Sequence, residues 1–369
     1  MSESHRAGLT LLYRGPLASC DYDCPYCPFA KRRDGPELLR ADRAALERFT
    51  GWVGERPADD RLSVLFTPWG EGLVRSWYRR ALVDLSHLPQ VRRVAIQTNL
   101  SCRTEWLDAA DTGTVALWCT FHPGQTPYDR FLGRCRELLE RGVRFSVGVV
   151  GLPDHLEQAT RLRADLPDPV YLWVNAADGH RYSDAEAQRW TALDPLFPYS
   201  RHPHRSGGLP CRTGESVVSV DGDGTVRRCH FVRAELGNLY DGSYLRALGP
   251  RACPLAVCDC HIGYVHLESL PLYDVFAGGV LERIPVPAAR VPGRPLPLTV
   301  QGSRRAGSPG PAAPAPPVPG APPVLGPSAP EPVPEPPVPE PPVPELPVLE
   351  LPVRAAGGPG AWPPPGRPS

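Results

Sequence analysis

Three cysteines lie close together near the start of the chain, in the stretch Cys20-Asp-Tyr-Asp-Cys24-Pro-Tyr-Cys27. Thiols separated by three and then two residues can converge on one iron–sulfur cluster. Because such clusters are ordinarily held by four cysteine thiolates, a loop with only three leaves one iron without a protein ligand. The spacing therefore predicts a cluster at which a small molecule completes the coordination.

Two other uses of these cysteines remain open. Zinc could be held with a fourth ligand from elsewhere, although structural zinc sites usually contain paired CxxC motifs. A disulfide framework is less favoured, because the total of 11 cysteines is odd and the first residues, MSESHRAG, lack the apolar core of a secretory signal. The pattern favours an iron–sulfur cluster over both alternatives.

The spacing, together with Tyr26 directly before the last cysteine, resembles the signature of the radical SAM superfamily. The resemblance implies a [4Fe–4S] cluster whose open iron is chelated by S-adenosylmethionine (SAM). It also implies an enzyme that cleaves SAM reductively and uses the resulting 5′-deoxyadenosyl radical to abstract hydrogen from a substrate. Tyr26 would then lie near the adenine of the cofactor.

Six short apolar runs follow one another through the first half of the chain, and segments with helical spacing alternate with them. The runs cover residues 9–13, 62–66, 91–96, 115–119, 143–150 and 170–174, and the clearest helical segments cover residues 41–56, 73–88 and 128–141. Parallel strands need crossover connections, so the alternation predicts the α/β class with a parallel sheet. The resemblance implies a partial (β/α)6 TIM-like barrel, with six strands where a full barrel has eight.

A polar or glycine-rich stretch follows each strand, and in a β/α barrel the loops at the carboxyl ends of the strands carry the functional residues. The resemblance implies cofactor contacts from five of these loops, by Gly70, Glu71, Gln97, Thr98, Asn99, His122, Gly148 and Asn175. Structural roles remain open beside these: tight turns or close packing for the glycines, a helix N-cap for Asn99, and a backbone-bonded turn for His122. No catalytic residue is predicted.

Five more cysteines fall within fifty residues after the predicted barrel: Cys211, Cys229, Cys253, Cys258 and Cys260. The first two flank a β-prone stretch around the turn DGDG, which predicts a hairpin over residues 216–229. The pattern of Cys, twelve residues, Gly, four residues and Cys resembles the opening of the SPASM and twitch extensions. The resemblance implies one auxiliary iron–sulfur cluster on four of the five thiols, with Cys258 or Cys260 as the spare; a structural zinc site is the alternative.

Other histidines and cysteines have less specific roles. His230 and His261 stand next to candidate ligands in the sequence and are expected to support them. Cys102, Cys119 and Cys135 lack mutual ligand spacing and are expected to be inert core thiols.

The end of the chain differs in composition from the rest. Of the 49 prolines, 30 fall from Pro285 onward, and residues 335–350 repeat a unit of the form Glu-Pro-Pro-Val-Pro. Such a segment favours extended polyproline II and cannot form a core. We therefore expect a barrel over residues 1–195, an auxiliary extension over residues 196–283 and a disordered proline-rich tail over residues 284–369.

Charge and hydropathy narrow the class of function. The 40 acidic and 40 basic residues leave no net charge, which removes the electrostatic case for a general nucleic-acid or membrane-surface binder. No apolar run approaches the ~18 residues that a membrane span requires. The chain is expected to be soluble and cytoplasmic.

The sequence as a whole predicts a radical SAM enzyme of a bacterial subfamily, with the resemblance covering about residues 9 to 265. Its expected partners are an electron donor such as flavodoxin or ferredoxin and a substrate. Because many relatives with this kind of extension modify peptides, a peptide is the first substrate we expect. Action on a small metabolite, or on a partner enzyme that receives a glycyl radical, remains open. So does a different class, a non-catalytic zinc-binding interaction protein.

Overall fold

The computed structural model describes residues 8–29 and 33–286. The predicted proline-rich tail lies outside the described residues from residue 287 onward. Within the described ranges the chain forms one nine-stranded sheet and two small two-stranded sheets. None of the helices in these ranges is both long enough and apolar enough to span a membrane.

The first six strands are parallel and lie side by side in chain order, which confirms the predicted partial barrel of the α/β class. Their bounds are β1 Thr10–Arg14, β2 Leu62–Phe66, β3 Val91–Thr98, β4 Val115–Thr120, β5 Arg144–Val150 and β6 Leu172–Asn175. Each strand coincides with one apolar run, because strands covered on both faces need apolar residues at nearly every position. The ends shift by one or two residues.

Five α-helices accompany these strands: α1 Pro36–Gly54, α2 Ser76–Ser86, α3 Tyr128–Glu140, α4 Leu156–Asp165 and α5 Asp184–Leu193. Helix α1 begins five residues before the predicted start, because a proline with its fixed φ suits the first helical turn. Helix α5 begins at a capping box between Ser183 and Glu186, a pattern that could have predicted it. Between β3 and β4 the connection contains only a 3-10 helix, Glu105–Ala109.

The sheet buries residues on both faces. On the outer face, Leu11 and Tyr13 of β1 pack in one cluster with Leu46 and Phe49 of α1. On the inner face, alternate residues of the strands form a second cluster with Ile262 and Leu281 from the end of the described chain. That cluster comprises Leu12, Leu65, Ala95, Ala116, Trp118, Trp173, Val217, Ile262 and Leu281.

A buried ion pair anchors this returning segment inside the barrel. Glu282 is fully buried, and its carboxylate accepts hydrogen bonds from Arg144 at 2.8 and 2.9 Å. Its backbone carbonyl accepts a third bond, from the Ser146 hydroxyl at 2.6 Å. The inner face of the sheet is therefore closed by the chain itself near the start of β5.

The remaining elements build the cysteine-rich extension: α6 Phe197–Arg201, β7 His204–Arg205, β8 Pro210–Cys211, β9 Val217–Asp221, β10 Thr225–Arg227, β11 Glu235–Asn238, β12 Arg251–Ala252, β13 Val257–Cys258, α7 His261–Tyr264 and α8 Leu272–Phe276. The antiparallel pairing of β9 with β10 confirms the predicted hairpin. Strand β9 also pairs in parallel with β1, so the hairpin and β11 continue the barrel sheet. Two short antiparallel pairs, β8 with β12 and β7 with β13, complete the extension.

Candidate metal centre and cofactor site

The three cysteines of the first loop lie just beyond β1, at the edge of the sheet where the other parallel strands also end. Cys24 is buried, and Cys20 and Cys27 are half-buried. The backbone N–H of Cys27 donates to the Cys24 carbonyl at 3.1 Å, which turns the loop back on itself. Burial raises the pKa of the Cys20 thiol to about 12, so this thiol keeps its proton at neutral pH until a metal displaces it.

Two buried or half-buried polar side chains hold the residues that precede Cys20. One carboxylate oxygen of Asp34 accepts hydrogen bonds from the backbone N–H groups of Ala18 at 2.7 Å and Ser19 at 2.8 Å. Arg75 donates to the Ser19 hydroxyl at 3.1 Å. Neither Asp34 nor Arg75 was predicted, because nothing in their spacing marks a partner in the cysteine loop.

Asp42 on α1 is a third such group. It is fully buried, and its carboxylate accepts from the backbone N–H of Leu17 at 3.1 Å, the indole of Trp77 at 2.7 Å and the hydroxyl of Tyr78 at 3.3 Å. An aspartate at an apolar position of a helix was the only signal that could have drawn attention to it. Asp42 joins the cysteine loop to α1 and α2.

Hydrogen-bond donors point toward the Cys20 sulfur. The backbone N–H of Tyr22 donates to it at 3.4 Å, and the Asn99 side-chain amide lies 3.7 Å away. The same amide donates to the Asp21 carboxylate at 2.9 Å. Donors of this kind influence the reduction potential of an iron–sulfur cluster, so the structure places Asn99 beside the cysteine loop.

Gly70 lets the loop after β2 pack directly on the cysteine loop. A Cβ atom at this position would lie 1.9 Å from the carbonyl oxygen of Ser19, which no side chain can tolerate. The next residue, Glu71, donates its backbone N–H to the same carbonyl at 3.2 Å. Only glycine therefore permits this approach of two backbones.

The Glu71 carboxylate faces the protein. It accepts hydrogen bonds from the backbone N–H of Leu73 at 2.8 Å, the Thr98 hydroxyl at 2.9 Å and the backbone N–H of Asn99 at 2.6 Å. Burial raises its pKa to about 7, although the three hydrogen bonds act in the opposite direction. Glu71 and Thr98 thus tie the loop after β2 to the end of β3, and their predicted cofactor contact stays a prediction.

A stack of rings covers the other side of the cysteine loop. His122 Nδ1 lies 3.0 Å from the Tyr26 hydroxyl and 3.5 Å from the Cys24 sulfur, and the Tyr26 and His122 rings are nearly parallel. His155, which was not predicted, meets the Tyr26 ring edge-on with centroids 5.1 Å apart. Burial lowers the pKa of His122 to about 4, so its ring is neutral at neutral pH. Gln125 completes this side by accepting from the Asp23 N–H at 2.8 Å.

Three predicted cofactor residues have other contacts in the structure. A Cβ atom on Gly148 would lie 2.0 Å from the Trp173 ring, so this glycine is required for packing. The Asn175 side-chain oxygen accepts a hydrogen bond from Arg283 at 2.7 Å. Gln97 is half-buried within β3. A cofactor contact by any of them remains a prediction from the resemblance.

The second cysteine set is assembled by the short strand pairs of the extension. Cys211 ends β8 and Cys258 ends β13, while Cys253 follows β12 and donates its backbone N–H to Leu209 at 2.9 Å. Cys229 follows the hairpin. Residues separated by up to 47 positions therefore meet in one small region.

The five thiols are not equivalent. Burial raises the pKa of Cys258 to about 12, and the charges of Cys229, Cys260, Cys253 and Cys211 add to the effect. Cys260 also packs against the inner cluster of the sheet. Which four of the five thiols would hold a cluster stays a prediction.

Three further polar residues stabilise this region. Arg228 is buried and donates to the carbonyls of Ala252 at 2.6 Å and Arg251 at 3.2 Å. His230 Nε2 lies 3.0 Å from the Thr67 hydroxyl, so it connects the extension to the loop after β2. His261 Nδ1 lies 3.2 Å from the Tyr264 hydroxyl. Arg228 was not predicted, because its partners are backbone carbonyls more than twenty residues away.

Both cysteine sets are chemically suited to iron–sulfur clusters. Among residues 8–29 and 33–286, no three His, Cys, Asp or Glu side chains are grouped so that they could hold one metal ion. Both sets supply the thiolates that hold iron–sulfur clusters, and thiolates are ligands of structural zinc as well. Iron–sulfur at these cysteines stays a prediction, with zinc as its alternative.

Comparison with known proteins found no matching family model and no matching curated protein. Among solved structures, SuiB of Streptococcus suis bound to S-adenosylmethionine is similar at 14% identity with a TM-score of 0.42, over 64% of each chain. The structure of anSMEcpe with bound AdoMet is similar at 12% identity and a TM-score of 0.42, over 65% of this chain and 80% of that one. BtrN in complex with AdoMet and 2-DOIA is similar at 15% identity and a TM-score of 0.33, over 65% and 81%.

The match spans less than two thirds of the SuiB chain. At these identities and TM-scores the likeness carries no argument about what this chain binds.

Proposed function

We propose that this protein is a radical SAM enzyme with one auxiliary iron–sulfur cluster. The observation that carries the proposal is the loop of Cys20, Cys24 and Cys27 at the carboxyl end of the first strand of a six-stranded parallel sheet. Three thiols on one loop leave one iron of a [4Fe–4S] cluster open, and the ends of β2, β3 and β4 bring polar groups to the same edge. When bound there, the reduced cluster and SAM would supply a 5′-deoxyadenosyl radical that abstracts hydrogen from the substrate.

Residues around the first cysteine loop would hold the cluster and SAM in place. Asp34 and Asp42 hold the backbone before the first cysteine, and Gly70 allows the loop after β2 to pack on it. Tyr26 and His122 form a ring stack beside Cys24. Pre-organised groups of this kind fix a reactive cofactor and exclude water, while the cofactor supplies the difficult step.

The second cysteine set supports the assignment of the open cluster. Four thiols would close an auxiliary cluster completely, which leaves no position for SAM. The loop of Cys20 is then the place where SAM binds. The auxiliary cluster would serve the substrate or electron transfer.

The proposal extends to the substrate, the electron donor and the compartment. A peptide is our first choice of substrate, by analogy with relatives that carry this kind of extension. A low-potential donor such as flavodoxin or ferredoxin would supply electrons. The odd total of 11 cysteines argues against a disulfide framework, so we place the protein in a reducing compartment such as the cytoplasm.

Anaerobic reconstitution tests the proposal directly. Supplied with iron and sulfide, the protein should turn brown. After reduction with dithionite it should convert SAM to 5′-deoxyadenosine and methionine. Replacing Cys20, Cys24 and Cys27 together by Ala should abolish the conversion and leave the auxiliary iron. The matched control replaces three thiols that lie elsewhere in the barrel, Cys102, Cys119 and Cys135, and should retain the conversion.

Two results would contradict the proposal. A colourless protein that binds zinc and makes no 5′-deoxyadenosine would favour a non-catalytic metal-binding role. Conversion that survives in the variant lacking Cys20, Cys24 and Cys27 would show that SAM is cleaved at a different cluster.

A further inference from the structure

A cleft of about 680 Å³ opens beside the first cysteine loop. Its lining includes Arg14 and Trp69 from the barrel, and Ser219 and His230 from the hairpin region. Arg14 lies two residues after Leu12 on β1, and Ser219 two residues after Val217 on β9. Because Leu12 and Val217 belong to the inner cluster, the alternation of a strand places Arg14 and Ser219 on the same inner face.

Arg14 is a partly desolvated cation at the base of this cleft. Its Nε donates to the Thr67 carbonyl at 2.8 Å, and burial lowers its pKa to about 10. It forms no ion pair with any residue in the part of the chain that the structure describes. The charges of Cys260 and, more weakly, Asp221 act on Arg14, and Asp221 is itself paired with Arg227. A partly desolvated guanidinium without an ion-pair partner can form a strong charge-assisted hydrogen bond with an anionic group of a ligand.

The wall beside Arg14 is aromatic and exposed. The guanidinium carbon lies 3.9 Å above the ring of Trp69, which is 40% exposed. Phe29, 52% exposed, packs against Trp69 with ring centroids 5.0 Å apart. Large aromatic side chains at this exposure are typical of surfaces that bind a ligand.

The cleft adjoins both cysteine sets. Trp69 directly precedes Gly70, which packs on the cysteine loop. His230 directly follows Cys229 and bonds the Thr67 hydroxyl on the same loop as Trp69. A ligand in the cleft would therefore touch residues that neighbour each cysteine set along the chain, Trp69 through Gly70 and His230 through Cys229.

We propose that this cleft binds the substrate, and that Arg14 recognises a carboxylate on it while Trp69, backed by Phe29, packs against an apolar or aromatic group beside that carboxylate. The inference rests on the proposed function for the identity of the ligand as substrate. An acidic peptide carries both groups, and so does a small aromatic carboxylic acid. The chemistry shared by the two is a carboxylate next to an apolar surface.

Calorimetric titration of the full, iron-reconstituted chain tests the inference, with SAM present and no reductant so that no turnover occurs. The probes are the peptide acetyl-Gly-Glu-Phe-Gly-amide, its glutamine counterpart and benzoate. We expect the glutamate peptide to bind about tenfold or more tightly than the glutamine peptide, because a charge-assisted hydrogen bond to Arg14 is lost in the second. A peptide substrate predicts that the glutamate peptide also binds more tightly than benzoate, and equal affinity would identify a small carboxylic acid.

The variant Arg14→Gln should abolish the preference for the glutamate peptide, since glutamine keeps an N–H for the Thr67 carbonyl but carries no charge. The matched control is Arg48→Gln, because Arg48 also stacks on an aromatic ring, Tyr240, at 3.6 Å and lies outside the cleft. The control should keep the full preference.

Several outcomes would overturn the inference. They are failure of both acidic probes to bind, equal binding of the two peptides, or a preference that survives in Arg14→Gln. A tenfold loss of SAM binding in Arg14→Gln would show that Arg14 holds the carboxylate of the cofactor instead. Absence of SAM cleavage after reduction, with the peptide preference intact, would contradict the proposed function and leave the carboxylate site standing.

Discussion

At the scale of single residues, the candidate site depends on buried and half-buried carboxylates that accept hydrogen bonds from the backbone. Asp34 and Asp42 hold the backbone before Cys20 through its N–H groups. Glu71 does the same for the ends of β2 and β3. A buried donor left without an acceptor costs about 1–3 kcal/mol, so these residues matter for the shape of the loop as much as the cysteines matter for its chemistry.

The raised pKa of the buried Glu71 carboxyl should make the free energy of unfolding depend on pH. Its pKa is about 7 in the folded protein and 4.5 when unfolded, so the folded state holds the proton more tightly. Stability therefore falls as pH rises from 4.5 to 7, by roughly 3 kcal/mol in total from this group. In Glu71→Gln that fall should be missing from urea unfolding curves of the iron-free protein, whereas Glu47→Gln, an exposed control, should keep it. An identical pH slope in Glu71→Gln and the wild type would contradict this.

At the scale of secondary-structure elements, the loop after β2 and the cysteine loop have to touch backbone to backbone. The contact requires glycine at position 70, where a Cβ atom would meet the Ser19 carbonyl at 1.9 Å. Backbone atoms cannot move aside as a flexible side chain does. The two loops therefore depend on each other for their conformation.

Gly70→Ala should push the cysteine loop away from the loop after β2. We expect the variant to lose the iron of the first cluster and its SAM cleavage while keeping the auxiliary iron, as measured by iron content and electron paramagnetic resonance. Gly133→Ala is the control, because Gly133 lies in α3 with no atom near its Cβ position, and alanine there should stabilise the helix by about 0.5–1 kcal/mol. Full iron content in Gly70→Ala would show that the contact is dispensable.

The strand pairs of the extension decide which thiols meet. Because the charges of the other four extension cysteines act on Cys258 whereas Cys260 packs on the sheet, we expect the two to differ on substitution. Cys258→Ala should remove the auxiliary iron, and Cys260→Ala should retain it. Each variant serves as the control for the other, and loss of iron in Cys260→Ala alone would reverse the assignment.

At the scale of the whole molecule, several buried histidines make the fold sensitive to acid. Burial lowers the pKa of His122 to about 4 and of His266 to about 3, and lowers the pKa of His230 and His261 well below its usual value. Above pH 6.5 these histidines are neutral in the folded and the unfolded chain, so the folded state keeps its full stability. As the pH falls from 6.5 toward their folded-state pKa values, the unfolded chain binds more protons and the free energy of unfolding decreases. Each histidine lowers the free energy of unfolding by about 1.4 kcal/mol per pH unit in that range. Together they outweigh the gain from protonating Glu71.

His266 offers the cleanest test of this acid sensitivity, since it is remote from the first cysteine loop and its Nδ1 lies 2.9 Å from the Tyr273 hydroxyl. Between pH 6.5 and 5 the free energy of unfolding should fall by about 2 kcal/mol less in His266→Gln than in the wild type. Urea unfolding at a series of pH values measures the difference. The exposed His87→Gln should follow the wild type, and a slope unchanged in His266→Gln would mean that this histidine is charged when folded.

The sequence by itself determined the features that depend on neighbouring residues. The cysteine spacing, the six apolar runs and the DGDG hairpin each follow from short-range pattern, and the structure contains all six strands and the hairpin. A strand between two packed layers is apolar along its length whatever its partner is, so its position can be read locally.

Only the tertiary structure decided which distant groups meet. The pairing of β9 with β1 and the support of the cysteine loop by Asp34 and Asp42 both join residues that are far apart in the chain. No local pattern encodes such partners, because a buried polar group is satisfied by whichever donor or acceptor the folded chain brings to it. The ligand vacancy of the first loop was visible in the sequence, whereas the cleft beside it exists only because the hairpin joins the sheet at β1.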